Sequence, residues 1–208
     1  MGRGHRFFAA IYDPLDRLIE KRGLTDLRKE VTGKARGRVV EVGAGTGQNF
    51  RHYPSSVVEL IATEPDPHML RRAREKAAEA AVTIRLEQAP AERLPVEDRS
   101  VDTVVSTYVF CTVPDPRSAL NEIKRILKPD GRFLFLEHVR AEDPRLAKWQ
   151  DRLQRPWSFF GAGCHPNRDT AATIEGAGFA FEELDRFMFK PELPLARPQI
   201  KGSARPAG

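Results

Sequence analysis

Short apolar runs alternate with amphipathic stretches along most of this chain. Residues 38–42, 57–63, 82–86, 101–106 and 132–139 are runs of β-branched or bulky apolar side chains bounded by turn-forming residues. Runs apolar on both faces predict strands buried within a parallel sheet. Between them, residues 67–80 and 116–127 carry a helical period, and in the second Leu120, Ile123, Ile126 and Leu127 share one face. Pro129-Asp130-Gly131 predicts the turn that stops this helix and feeds the next strand. Strands alternating with helices predict an α/β, Rossmann-like doubly wound sheet, with ligands at the carboxyl ends of its strands.

The flanks are less regular. Phe7, Phe8, Ile11, Tyr12, Leu15, Leu18 and Ile19 form an amphipathic stretch around Asp13-Pro14, a capping pair. Residues 1–35 are therefore expected to make a helical lid over the ligand site, and residues 36–139 the cofactor-binding core. Residues 140–163 show no clear period, yet Trp149, Trp157, Phe159 and Phe160 make them too apolar for an idle loop. These aromatics are expected to wall an acceptor pocket or cover the sheet, at least half of them in the core. A helix over 168–175 closed by Gly176 or Gly178, a strand near 179–187 and a last strand over 199–204 complete an acceptor side spanning 140–208. The whole chain, 1–208, is read as one domain.

Composition narrows the function classes. The chain is 40% apolar and 30% charged, the balance of a soluble globular protein. Its net charge of +5 is mild, and its cations are interleaved with acids, as in Arg71-Arg72-Ala73-Arg74-Glu75-Lys76. That pattern describes a solvated helix face, so no nucleic-acid partner is expected. No run approaches the roughly 20 apolar residues that span a bilayer, and Met1-Gly2-Arg3-Gly4-His5 lacks the apolar run of a secretory signal. A cytoplasmic protein is expected, monomer or homodimer, with peripheral membrane contact left open. Cys111 and Cys164 stand far apart without metal-ligand spacing, so reduced thiols and no metal are expected.

The sharpest chemical signal is the strand Val39-Val40-Glu41-Val42 running into Gly43-Ala44-Gly45-Thr46-Gly47 and then a helix. Glycines reach positive φ and admit a ligand close to the backbone. The nicotinamide fingerprint requires Gly-x-Gly-x-x-Gly, but here the third glycine comes one place early and Gln48 occupies its position. Glu41 would repel a pyrophosphate yet attract the cationic amino and sulfonium groups of S-adenosylmethionine (SAM). Glu64, about twenty residues beyond the first glycine, can accept both hydroxyls of a ribose. Together they favour SAM, with S-adenosylhomocysteine as product.

These motifs, with Leu94-Pro95 and Leu127-Lys128-Pro129-Asp130-Gly131, resemble the motif series of class I methyltransferases of the ubiquinone and menaquinone C-methyltransferase type. The resemblance implies a seven-stranded sheet whose last strand is antiparallel. It implies a cofactor site drawn from Glu41, Gly43, Ala44, Gly45, Thr46, Gly47, Asn49, Glu64, Pro65, Met69, Pro90, Ala91, Glu92, Thr107 and Tyr108. Pro90 stands where many relatives carry an Asp or Asn for the adenine amino group, so backbone groups near Ala91 and apolar contacts such as Pro65 are expected to hold adenine. A second likeness, through Thr107, Cys111, Glu137-His138-Val139, Pro156-Trp157, Gly163-Cys164 and Arg168, is to the mammalian alkyl-thiol methyltransferases of the methyltransferase-like seven group. Their apolar membrane anchor is not expected in this chain.

The expected reaction is in-line methyl transfer to a small, fairly apolar acceptor, a thiol before others, since a thiol of pKa about 8.5 needs little help to ionise. His138, at the carboxyl end of a strand, is the expected base or orienter, and Tyr12 resembles a tyrosine that reaches the SAM site from a mobile N-terminal segment in relatives. His165 and Asn167 could orient an acceptor or simply face solvent, and Cys111 is expected to be a packing thiol. The alternatives are O-, N- or C-methylation of a quinone, phospholipid or secondary metabolite, a non-catalytic SAM sensor or scaffold, and a dinucleotide oxidoreductase.

Overall fold

The computed structural model describes residues 20–161 and 163–207. The amphipathic stretch 7–19, Tyr12 included, lies outside them. Seven strands form one sheet: β1 (Gly37–Val42), β2 (Val57–Thr63), β3 (Ile84–Glu87), β4 (Val101–Thr107), β5 (Leu127–His138), β6 (Phe179–Met188) and β7 (Pro198–Pro206). Their spatial order is β3-β2-β1-β4-β5-β7-β6. The first five pair in parallel, whereas β7 runs antiparallel to both β5 and β6. This is the expected class I methyltransferase architecture, with its order reversing at the β1/β4 junction.

Alternate residues of each strand feed opposite faces. Val40, Val104, Phe133 and Phe135 pack under Leu120, Ile123 and Ile174, while Val39, Val105, Leu134 and Leu136 pack with Val31, Phe50 and Ala73. The helices are α1 (Thr25–Thr32), α2 (Pro67–Ala78), α3 (Pro116–Ile126), α4 (Pro144–Phe160) and α5 (Thr170–Gly176). Three of them start on the same device. Asp66, Asp115 and Asp143 each precede a proline and accept hydrogen bonds from the next two free backbone N–H groups.

Four expectations need correction. Residues 144–160, without a clear period in sequence, form the longest of these helices, because only Ala147 and Gln150 are buried on it and Pro156 interrupts its pattern. Its aromatics do not enter the core: Trp149, Phe159 and Phe160 are exposed, and only Trp157 is half-buried. The Pro129-Asp130-Gly131 turn is present as a bulge inside β5, where Leu127 pairs with Val101 and Arg132 already pairs with Thr103. Beyond the glycine turn of β1 there is no α-helix but a turn and a short 3-10 segment, Phe50–His52. Pro54 forces Tyr53 into an extended conformation and ends the helical path there. Among the described residues no helix is long and apolar enough to cross a membrane.

Candidate active site

The glycine turn leaves β1 with Gly43, Gly45 and Gly47 at φ of 64°, 56° and 76°. A Cβ on Gly43 would stand 2.6 Å from Val109, and one on Gly47 would stand 2.6 Å from the Phe50 ring. Those two glycines are dictated by packing as well as by backbone conformation. Gly45 has nothing within 4 Å of that position, so its backbone is the part a ligand can approach. Its N–H donates to Glu64 Oε2 at 2.9 Å, and Glu64 Oε1 accepts from Asp66 N at 2.9 Å. The carboxylate that ends β2 is thereby tied to the turn that ends β1. Lys76 Nζ lies 3.4 Å from Thr46 Oγ1 on the same side.

Beneath the turn lies a buried polar cluster. Glu41 accepts from Asn49 Nδ2 at 2.9 Å and from the Tyr53 hydroxyl at 2.8 Å. Asn49 Nδ2 also reaches Thr107 Oγ1 at 3.0 Å. Burial pushes the Glu41 carboxyl up to about 7, against the hydrogen bonds from Tyr53 and Asn49 and the nearby charge of Arg28. Because this folded value lies above the unfolded one of about 4.5, the group stabilises the fold fully below pH 4.5. That contribution is lost as pH rises to about 7, at up to about 1.4 kcal/mol per pH unit. Urea midpoints from pH 4.5 to 7.5 are expected to fall more steeply in the native protein than in Glu41→Gln; parallel curves would sink this assignment.

Arg28 of α1 enters the same cluster. Its Nε donates to Glu20 Oε1 at 2.7 Å, and its Nη1 donates to Thr107 Oγ1 at 2.8 Å and Asn49 Oδ1 at 3.2 Å. Its guanidinium also stands 5.4 Å from the centre of the Tyr108 ring. One cation thus bridges the segment before α1, the glycine turn and the end of β4. Sequence reasoning missed both Arg28 and Glu20, since no motif separates this arginine from the other 33 of the chain's 34 basic residues.

At the ends of β4 and β5 the backbone is unusual. Tyr108 has φ 59°, rare for a residue with a Cβ. Its hydroxyl donates to Gln199 Oε1 at 2.9 Å, and its ring lies 4.4 Å from the His138 ring. Glu137, fully buried, holds the following loop by accepting from Ser106 Oγ and Val109 N at 2.9 Å and from Cys111 N at 3.4 Å. Burial raises its carboxyl to about 6.

This loop brings Cys111 beside His138, and the chain after α4 brings Cys164. Each sulfur lies 3.8 Å from His138 Nδ1, and Glu192 Oε1 lies 3.5 Å from Nε2. The two cysteines far apart in sequence are neighbours in space. Although burial opposes charge on the ring, Cys164, as a thiolate, and the Glu192 carboxylate hold His138 up to about 10. With Nδ1 turned to the two cysteine sulfurs and Nε2 to Glu192, the ring has no nitrogen left free to act as a base, so this geometry favours the orienting half of the expectation for His138.

The remaining expected residues line the neighbouring strand ends. Pro90 is exposed and Ala91 buried in the loop after β3, with Glu92 Oε1 accepting from Asp115 N at 3.2 Å. Pro65 carbonyl accepts from Gln88 Nε2 at 3.2 Å, and Met69 is half-buried in the first turn of α2. His165 is bound into its own loop, its Nδ1 2.6 Å from Gly163 O, whereas Asn167 donates to Asp151 of α4 at 3.0 Å.

A methyltransferase-domain family model matches residues 40–135. The chain is 35% identical over 173 residues to the human protein named thiol S-methyltransferase TMT1B, covering 80% of this chain and 70% of that one. It is 32% identical over 203 residues to human thiol S-methyltransferase TMT1A, covering 95% and 82%. The crystal structure of the YcgJ protein of Bacillus subtilis superposes with a TM-score of 0.65 at 22% identity, over 89% of this chain and 96% of that one. With the sheet order and the glycine turn described above, these likenesses establish that the chain belongs to the class I SAM-dependent methyltransferases.

Proposed function

We propose that this enzyme methylates the sulfur of a small, fairly apolar thiol. The observation that carries the reading is the state of the ionisable groups that end β5. Glu137 is occupied by two backbone N–H groups and a serine, and His138 is held between Cys164 and Glu192. Neither is placed as a strong free base, which an alcohol acceptor would need, whereas a thiol of pKa about 8.5 ionises with little help. The likeness to two human thiol S-methyltransferases supports the same acceptor class.

When bound, SAM would supply a methyl carbon activated by its sulfonium, which would pass to the acceptor thiolate, its proton already lost to solvent, as the old C–S bond breaks and S-adenosylhomocysteine leaves. In this reading the open backbone of Gly45 lets the cofactor lie against the Gly43–Gly47 turn, flanked by Ala44 and Thr46. Glu64 accepts the ribose hydroxyls, and Arg28 pairs with the carboxylate of the amino-acid end. Glu41 acts through Asn49 and Tyr53, which it positions. Pro65, Met69, Pro90, Ala91 and Glu92 surround the adenine, Thr107 and Tyr108 wall the methyl, and His138 orients the acceptor through Tyr108. Residues 140–208 shape its acceptor side. With the reacting atoms so oriented, positioning contributes on the order of 7–11 kcal/mol to the rate.

Methyl-labelled SAM incubated with alkyl thiols, phenols and amines tests the acceptor class. Labelled product is expected from the thiols, with rates rising toward the thiol pKa. Product from phenols or amines and none from thiols would overturn the proposal.

A further inference from the structure

Cys111, His138 and Cys164 are all buried, and their ligand atoms lie within 4.8 Å of one another. From this cluster we infer that the three side chains form a binding site for a zinc-class cation, made by the loop after β4, the end of β5 and the loop after α4.

The spacing suits the ion. Zinc holds thiolate sulfur at about 2.3 Å and imidazole nitrogen at about 2.0–2.1 Å, so a sulfur and a nitrogen at tetrahedral or trigonal angles sit about 3.6–3.8 Å apart. Both sulfur-to-Nδ1 distances here are 3.8 Å. Two thiolates and an imidazole are also the donor set that selects zinc or cuprous copper over magnesium or calcium.

The surroundings suit it equally. A metal-bound histidine commonly donates its other ring N–H to a carboxylate, which fixes the tautomer and the ring. His138 presents Nδ1 to the sulfurs and Nε2 to Glu192 Oε1 at 3.5 Å, and Nε2 is buried without a closer hydrogen-bond partner. The Tyr108 ring packs on the other side of the imidazole. Charge balances as well. Two thiolates neutralise a dication, and Arg168, whose guanidinium donates to Phe110 O and Val113 O at 2.7 Å, stands within electrostatic reach of both cysteines and of Glu137. The positions come from three separate elements, which is why spacing in sequence hid them. Three protein ligands leave zinc's fourth position for a small molecule or water.

The test uses the full chain, reduced and freed of metal. Equilibrated with zinc at low micromolar free concentration, it is expected to retain one ion per chain and to protect both thiols from alkylation. With cobalt(II) in place of zinc, it should show sulfur-to-cobalt charge-transfer absorption and tetrahedral ligand-field bands. Cys111→Ser and Cys164→Ser should each weaken that charge transfer, and Glu192→Gln, which leaves every ligand in place, should lower affinity by about 10–100-fold. If the reduced native chain takes up no zinc or cobalt, the proposal fails without reference to any variant's folding. Uptake with alkylation and spectra unchanged in both cysteine variants would also overturn it, as would a Cys111–Cys164 disulfide that forms equally fast with and without zinc. The readouts involve no methyl acceptor, so the site stands or falls independently of the thiol reading.

Discussion

Arg28→Met is expected to lower the stability of the fold by about 3–5 kcal/mol, the usual cost of stripping one partner from a buried ion pair. The pair is well enclosed, with side-chain exposures of 11% for Arg28 and 8% for Glu20. Removing the guanidinium leaves the Glu20 carboxylate with only the Thr25 hydroxyl, at 2.7 Å, among its described hydrogen-bond donors. It also removes a donor from Thr107 and Asn49 at once. For a chain of this size the loss corresponds to a fall in Tm on the order of 10 °C. The double variant Glu20→Gln/Arg28→Met should recover part of it, because a neutral amide does not require the cation. A thermal or urea titration of the native, single and double forms measures this directly. A loss below about 1 kcal/mol, or a double variant no better than the single one, would show that the pair is not the link between the N-terminal side of α1 and the sheet.

The second large effect is on cofactor affinity. Hydrogen bonds to a charged group contribute about 1.5–3 kcal/mol each. If Glu64 takes both ribose hydroxyls, Glu64→Ala should weaken SAM binding by at least about 100-fold while the fold survives. The substitution also frees the N–H groups of Gly45 and Asp66, which Glu64 now accepts, so the turn should lose definition too. Glu64→Gln separates the two effects, since it keeps an acceptor oxygen and loses the charge; an intermediate affinity is expected. Calorimetric titration of SAM into the three proteins decides the matter, and an alanine variant that binds within threefold of the native chain would remove Glu64 from the site.

What could be seen in sequence, and what could not, follows from the range of each interaction. The strands were legible because burial on both faces writes a continuous apolar run, as in Val101–Thr107. Helix α3 was legible because its apolar residues keep strict register. Helix α4 escaped because its packing rests on Ala147 and Gln150 and its large aromatics face outward. The Asp143-Pro144 pair that caps it was available, and the same pair opens α2 and α3. At the site, local features were visible: the glycine turn and the carboxylate after β2 are each set by a few consecutive residues. Arg28 and the meeting of Cys111, His138 and Cys164 depend on tertiary placement across 79 and 53 positions of chain, for which a single sequence carries no periodic signal.

Gln150 has a wider consequence than its place on α4 suggests. Its Oε1 accepts from Ala141 N at 2.8 Å, and its Nε2 lies within reach of the carbonyls of Val139, Pro166 and Leu195, at 3.1, 3.0 and 2.9 Å. One buried amide therefore satisfies backbone groups from three separate crossings of the chain, the first of which is also tied to the other two by Arg140 N to Arg168 O and Val139 N to Pro198 O. None of those crossings can lift into water without leaving the others short of a hydrogen bond in a buried place. The region around α4 is thus built to loosen as one cooperative unit, so that thermal motion there should be shared among its segments instead of confined to a single loop.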